Sequence, residues 1–219
     1  MEGAGHRPRV VGVIAAGGSG ERLRAGRPKA FVVLNGRPML DWSIEVLAGI
    51  CDRVVVAVPP GHAHEPDRVA GGASRSASVR NALEAAPEAE VVVVHDAARP
   101  LLSADLLRRC IAGVGEADGA IAATPVTDTV KQADPSGRVV RTLDRSSLWS
   151  IQTPQAFRAD ILRRALSVDD ATLAAASDDS SLVEAVGGAV VVIEAPQENL
   201  KVTTAADLRW AEGILADRC

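Results

Sequence analysis

Short apolar runs alternate with amphipathic stretches along most of the chain. Residues 10–14 form the first such run, Val10-Val11-Gly12-Val13-Ile14, and further runs follow at 53–58, 91–94, 119–124 and 189–193. Near-continuous apolar runs of this length predict strands buried on both faces of a parallel sheet. Between them, residues 38–48, 76–86, 103–114, 158–166, 177–186 and 204–215 read as helices. Pro38 suits a first helical turn, and Asp178 and Asp179 fall in the first turn of the fifth helix. Strands alternating with helices predict an α/β class: a Rossmann-like, mainly parallel sheet flanked by helices on both faces.

The pattern breaks after residue 125. Residues 126–132 and 138–143 look extended, and Asp134-Pro135-Ser136-Gly137 between them is a turn signal. A lone hairpin has too little apolar surface to stand by itself. It must pack on the body or on another copy of the chain, so residues 125–147 are expected to be a protruding arm that makes a homodimer. Residues 149–157, which include Gln152-Thr153-Pro154-Gln155, read as a proline-punctuated loop. Residues 1–9 read as a loose tail. With no internal repeat or linker, residues 1–219 are expected to form a single domain.

Composition narrows the function. The chain has 219 residues, a formal charge of −4 and 47% hydrophobic residues, which bounds it to a globular protein with a sizeable core. That charge offers no basic surface for nucleic acid. Aromatics make up 2%, with no Tyr, so a base-stacking platform is not expected. A nucleobase would be read by backbone groups and small polar side chains. Cys51, Cys110 and Cys219 lie far apart without metal spacing, and an odd count suits a reducing, cytoplasmic setting. No apolar run spans a bilayer, so no membrane partner is expected.

Candidate chemistry gathers where the first apolar run ends. Residues 15–29 read Ala-Ala-Gly-Gly-Ser-Gly-Glu-Arg-Leu-Arg-Ala-Gly-Arg-Pro-Lys. Glycines let backbone N–H groups converge on an anion, and Arg22, Arg24, Arg27 and Lys29 add full charges. This predicts a phosphate-rich ligand at the carboxyl end of a strand. The dinucleotide fingerprint fails at Leu23, and the P-loop fails because Lys29 lies between Pro28 and Ala30. A second glycine turn, Gly71-Gly72, enters a helix whose serines, Ser78 among them, could cap it or bind a nucleotide. The third strand ends in His95-Asp96-Ala97-Ala98-Arg99-Pro100, which places Asp96 and Arg99 at the sheet's carboxyl edge, as site residues or as a structural pair. Thr129 and Arg145 lie in or near the hairpin, and Lys201 follows the last strand. Of the three lysines, 29, 131 and 201, two stand at candidate site positions. His62 and His64 lack a third metal ligand nearby and read as an exposed loop. Clustered cations without a nucleophile suit nucleotidyl transfer, where the substrate brings its own attacking oxygen.

These pieces resemble the 2-C-methyl-D-erythritol 4-phosphate cytidylyltransferase family. The resemblance rests on Ala15-Ala16-Gly17-Gly18-Ser19-Gly20-x-Arg22, Pro28-Lys29 and Gly71-Gly72-x-x-Arg75-x-x-Ser78-Val79, then on His95-Asp96-Ala97-Ala98-Arg99-Pro100. Asp128-Thr129-Val130-Lys131, Asp144-Arg145-x-x-Leu148-Trp149, Thr153-Pro154-Gln155 and Asn199-Leu200-Lys201-Val202-Thr203 complete it, in the family's order. Ala30 departs from the Gln that many relatives carry after Pro-Lys. The resemblance implies catalytic roles for Arg22, Lys29, Arg145 and Lys201. It implies CTP binding by residues 15–20 (Ala15, Ala16, Gly17, Gly18, Ser19, Gly20) and by Gly71, Gly72 and Ser78. Asp96, Arg99, Thr129 and Thr153 would bind the sugar phosphate, with Thr129 and Arg145 reaching the partner subunit's site. Mg2+ would ride mainly on the CTP phosphates, with Asp96 as a candidate protein ligand. The rival readings are the same transfer to another acceptor such as ribitol 5-phosphate, a non-catalytic nucleotide-binding protein, and, with its fingerprint broken, a dehydrogenase.

Overall fold

The computed structural model describes residues 7–18, 20, 23 and 26–218. Its centre is β1 (Val10–Ala15), whose residues alternate between two cores. Val11 and Val13 enter one core while Val10 and Ile14 enter the other, so an unbroken apolar run is what the position demands. After β1 come the two-residue strands β2 (Val33–Leu34) and β3 (Arg37–Pro38), helix α1 (Met39–Ala48), and strands β4 (Arg53–Val58) and β5 (Arg68–Ala70). Then follow α2 (Arg75–Glu84), β6 (Val91–Asp96), α3 (Ala104–Gly113) and β7 (Gly119–Pro125). The hairpin strands β8 (Lys131–Ala133) and β9 (Val139–Thr142) precede β10 (Trp149–Arg158). The chain closes with α4 (Ala159–Leu166), α5 (Asp170–Ala175), α6 (Asp179–Ala185), β11 (Val190–Glu194) and α7 (Ala205–Ala216).

Seven strands make one sheet in the order β11-β7-β10-β6-β1-β4-β5. Strand β1 pairs in parallel with β4 and β6, bringing Val13 opposite both Val55 and Val94. Within this sheet β10 runs against its neighbours, β6 and β7. One face is covered by α2, α4, α5 and α6, and the other by α1 and α3. A smaller cluster joins Leu34 and Met39 to Val202 and to Ala211 and Leu215 of α7. The expected α/β layering is therefore present. No helix among the described residues is long and apolar enough to cross a membrane.

The expectation for 149–157 is corrected. It is not a loop but most of β10, a central strand of the sheet. Pro154 misleads a reading of the sequence, because proline cannot donate to a ladder. The register shifts between Ile151 and Gln155 of β10 against β7, and Pro154 occupies that irregularity. The hairpin does form. Gly137 takes φ +84°, and Asp134 Oδ1 accepts from the N–H groups of Ser136 and Arg138. Its strands are shorter than expected, form a sheet of their own, and are exposed throughout.

Candidate active site

A cavity of about 420 Å3 opens at the carboxyl ends of β1 and β6. Its first half is backbone. Residues 15–18 and Gly20 line it as the chain leaves β1. Gly20 has φ +77°, and a Cβ there would lie 3.1 Å from the Arg27 carbonyl oxygen, so only glycine fits the bend. The bend returns the chain so that the Lys29 N–H donates to the Gly18 carbonyl at 3.0 Å, and Lys29 lines the cavity. The second glycine turn closes this half. A Cβ on Gly72 would come within 2.6 Å of Ala77 Cβ, so the turn and the start of α2 touch without room for a side chain. The Ser78 hydroxyl accepts from the Gly72 N–H at 3.1 Å and donates to the Ser74 carbonyl at 2.8 Å, while Ser74 caps α2. Ser78 thus lines the cavity and also braces the turn. Gly71 does not line it; its N–H donates to the Val58 carbonyl.

The second half is ionic. Asp96 ends β6 and accepts from Arg75 Nε through Oδ1 at 2.8 Å and from Lys201 Nζ through Oδ2 at 2.7 Å. Arg75 in turn donates through Nη1 to Asp179 Oδ2 at 2.6 Å, and Asp179 is fully buried. Burial opposes the charge on Asp96, but Arg75 and Lys201 outweigh it and hold the carboxyl well below the usual range. For Asp179 burial wins over Arg75 and raises the carboxyl above its ordinary value. Arg75, Asp96 and Lys201 all line the cavity. Sequence reasoning gives Arg75 no role; its place in the first turn after Gly71-Gly72 is the available signal.

Several expected residues stand elsewhere. Arg99 does not pair with Asp96 and does not line the cavity: its guanidinium is buried and donates to the Asn199 carbonyl at 2.7 Å. Asn199 donates to Gln152 Oε1 and to the Thr153 carbonyl, so Arg99 and Asn199 pin the loop that delivers Lys201. Thr153 is buried behind the wall. Its hydroxyl accepts from the Asp96 N–H at 3.0 Å and meets His95 Nδ1 at 3.2 Å. The other ring nitrogen, Nε2, faces the Arg99 carbonyl at 3.1 Å, so Nε2 carries the proton and Nδ1 accepts from Thr153. Burial lowers the His95 imidazole to about 4, and it is neutral at pH 7. Thr129 and Arg145 are exposed at the hairpin, away from the cavity of their own chain, and Arg145 donates to the Thr127 carbonyl. Arg22 and Ser19 lie outside the described residues.

Magnesium does not fit Asp96. Both of its carboxylate oxygens already bond cations, and no group of three or more His, Cys, Asp or Glu that could hold a metal occurs among the described residues. Asp96 is held here by Arg75 and Lys201. Cys51 and Cys110 are free and buried, and burial pushes both thiols up to about 12, so neither is a nucleophile.

A glycine-built anion cradle at the end of a parallel strand, faced by lysines and without a nucleophile among its described residues, defines a nucleotidyltransferase of the α/β class. Residues 10–217 match the family model of 2-C-methyl-D-erythritol 4-phosphate cytidylyltransferase. The enzyme of that name from Frankia casuarinae is 44% identical over 99% of this chain and 86% of its own length. The one from Symbiobacterium thermophilum is 41% identical over 94% of this chain and 92% of its own length. The crystal structure of 2-C-methyl-D-erythritol 4-phosphate cytidylyltransferase from Thermus thermophilus has a TM-score of 0.80 to this chain, with 33% identity over 94% of this chain and 98% of that one. The chain belongs to the 2-C-methyl-D-erythritol 4-phosphate cytidylyltransferase family.

Proposed function

We propose that the chain joins CTP to 2-C-methyl-D-erythritol 4-phosphate. A phosphate oxygen of the acceptor attacks the α-phosphorus of CTP, the bond to the β-phosphate breaks, and pyrophosphate leaves with its electron pair. The observation that carries this reading is the two-sided cavity: backbone N–H groups and Lys29 on one wall, Asp96 and Lys201 on the other. In this reading Gly17, Gly18, Gly20 and Gly72 cradle the nucleotide, and Lys29 with Arg22 stabilises charge at the α-phosphorus. Lys201 meets the acceptor phosphate and Asp96 accepts from an acceptor hydroxyl. Mg2+ would be brought mainly by the CTP phosphates and would supply positive charge there. The free, buried cysteines favour a cytoplasmic setting.

The reading also makes the chain a homodimer through its arm. Val139 and Val140 on β9 are 56% and 62% exposed, and Trp149 and Ile151 at the start of β10 add further exposed apolar surface. Thr129 and Arg145 then complete the neighbouring site. Pyrophosphate release from CTP with methylerythritol phosphate, against ribitol 5-phosphate as control, tests the reaction. Mixing inactive Lys29→Ala chains with inactive Arg145→Ala chains tests the shared site: heterodimers should recover activity, and proven heterodimers without recovery would count against it.

A further inference from the structure

The ionic wall is a single chain of alternating charges drawn from four segments. Asp179 opens α6, Arg75 opens α2, Asp96 ends β6, and Lys201 lies on the loop between β11 and α7. Successive contacts measure 2.6, 2.8 and 2.7 Å. Its ends differ in burial: the Asp179 side chain is 0% exposed and Lys201 44%, with Arg75 at 29% and Asp96 at 10% between them. The Asp179 end is closed off from solvent and the Lys201 end lines the cavity. Asp96 is met by Arg75 and Lys201 directly, with His95 beside it on the same strand and Asp179 and Arg99 behind. A lysine head on a flexible stem loses substantial rotamer freedom when a ligand fixes it. Here Asp96 fixes it beforehand, and Asp96 is itself held in place by Arg75.

We propose that Arg75 is a positioning residue, which orients the Asp96 carboxylate and through it the Lys201 ammonium toward the acceptor; this rests on the acceptor reading above. Only a guanidinium suits the place. Its planar fork donates to two carboxylates at once, through Nε to Asp96 and Nη1 to Asp179, which a lysine's single ammonium cannot match in that geometry. CTP's cradle shares the start of α2 with Arg75, but it is held there by the Ser74 cap and the Gly72–Ser78 hydrogen bond, which do not involve the Arg75 side chain.

The variant that isolates the effect removes the clamp without stranding a charge: Arg75→Gln with Asp179→Asn, which leaves the Asp96–Lys201 pair intact. Replacing both partners of a buried ion pair is far milder than removing one. The double variant should raise the KM for the acceptor by about tenfold, near the worth of one charge-assisted hydrogen bond. The KM for CTP should move by less than about threefold, as for a change outside its site. Asp179→Asn alone retains Arg75 on Asp96 and should leave the acceptor KM near wild type. An unchanged acceptor KM in the double variant, or an equal rise in both KM values, overturns the proposal. A second measurement does not depend on turnover. The chain has three lysines, 29, 131 and 201, so reductive 13C-methylation gives few side-chain resonances, and Lys201→Arg assigns one. In the double variant the Lys201 resonance should shift from its wild-type position, because the Asp96 carboxylate it pairs with is no longer held by Arg75. If it stays put, the proposal fails even if the wild-type enzyme proves to use a different acceptor. If it moves while wild type releases no pyrophosphate, the clamp stands and only the assigned reaction falls.

Discussion

The two walls of the cavity hold their shape by different physics. The glycine wall is enforced by exclusion: Gly20 and Gly72 sit where a methyl group would meet the Arg27 carbonyl or Ala77. The ionic wall is enforced by attraction, with Asp96 and Asp179 tied through Arg75. A wall built by exclusion fails when atoms are added. A wall built by attraction fails when a charge is taken away, because a buried carboxylate then lacks its cation.

Four outcomes would sharpen or break that contrast. Arg75→Ala strands the buried Asp179 and leaves Asp96 with Lys201, and should cost about 3–5 kcal/mol, measured by urea unfolding. Lys29→Ala should instead show its main loss in turnover, with kcat falling by roughly 10²–10³; a change confined to KM would make Lys29 a uniform binder. Third comes pH. The His95 imidazole is held at about 4 by burial, below its ordinary value of 6.5. The unfolded chain therefore binds more protons between those values, so stability should fall as pH drops from 6.5 toward 4, by about 3 kcal/mol at one pK unit per 1.36 kcal/mol. Thermal melts across that window check it, and His95→Gln should flatten the slope. Smallest is Gly72→Ala, expected to cost about 1–3 kcal/mol through overpacking against Ala77, with weaker CTP binding. A neutral Gly72→Ala would show that the glycine wall yields, and the contrast would dissolve.

Much of this is legible in the sequence, for identifiable reasons. Strands buried on both faces must be apolar at every position, so β1, β4 and the start of β6 announce themselves. The glycines, Lys29, Asp96 and Lys201 stand out because each sits just beyond a strand end, where an open α/β sheet places its ligands. What fails is orientation. Position along the chain puts Arg99 near the rim and the resemblance puts Thr153 at the acceptor, but the fold turns both inward, to Asn199 and His95. Arg75 escapes notice because its partner Asp179 lies 104 residues away. Strand β10 is hidden because its proline obscures a bulge.

That reversed strand has one further consequence. It returns the chain to the place it left, since Trp149 lies directly across the ladder from Pro125. Facing residues of an antiparallel pair are bridged by the tightest hairpin turns, about two residues long. The whole excursion from 126 to 148 is therefore topologically detachable: it could be replaced by a minimal turn, or exchanged for another insert, without shifting any rung of the main sheet.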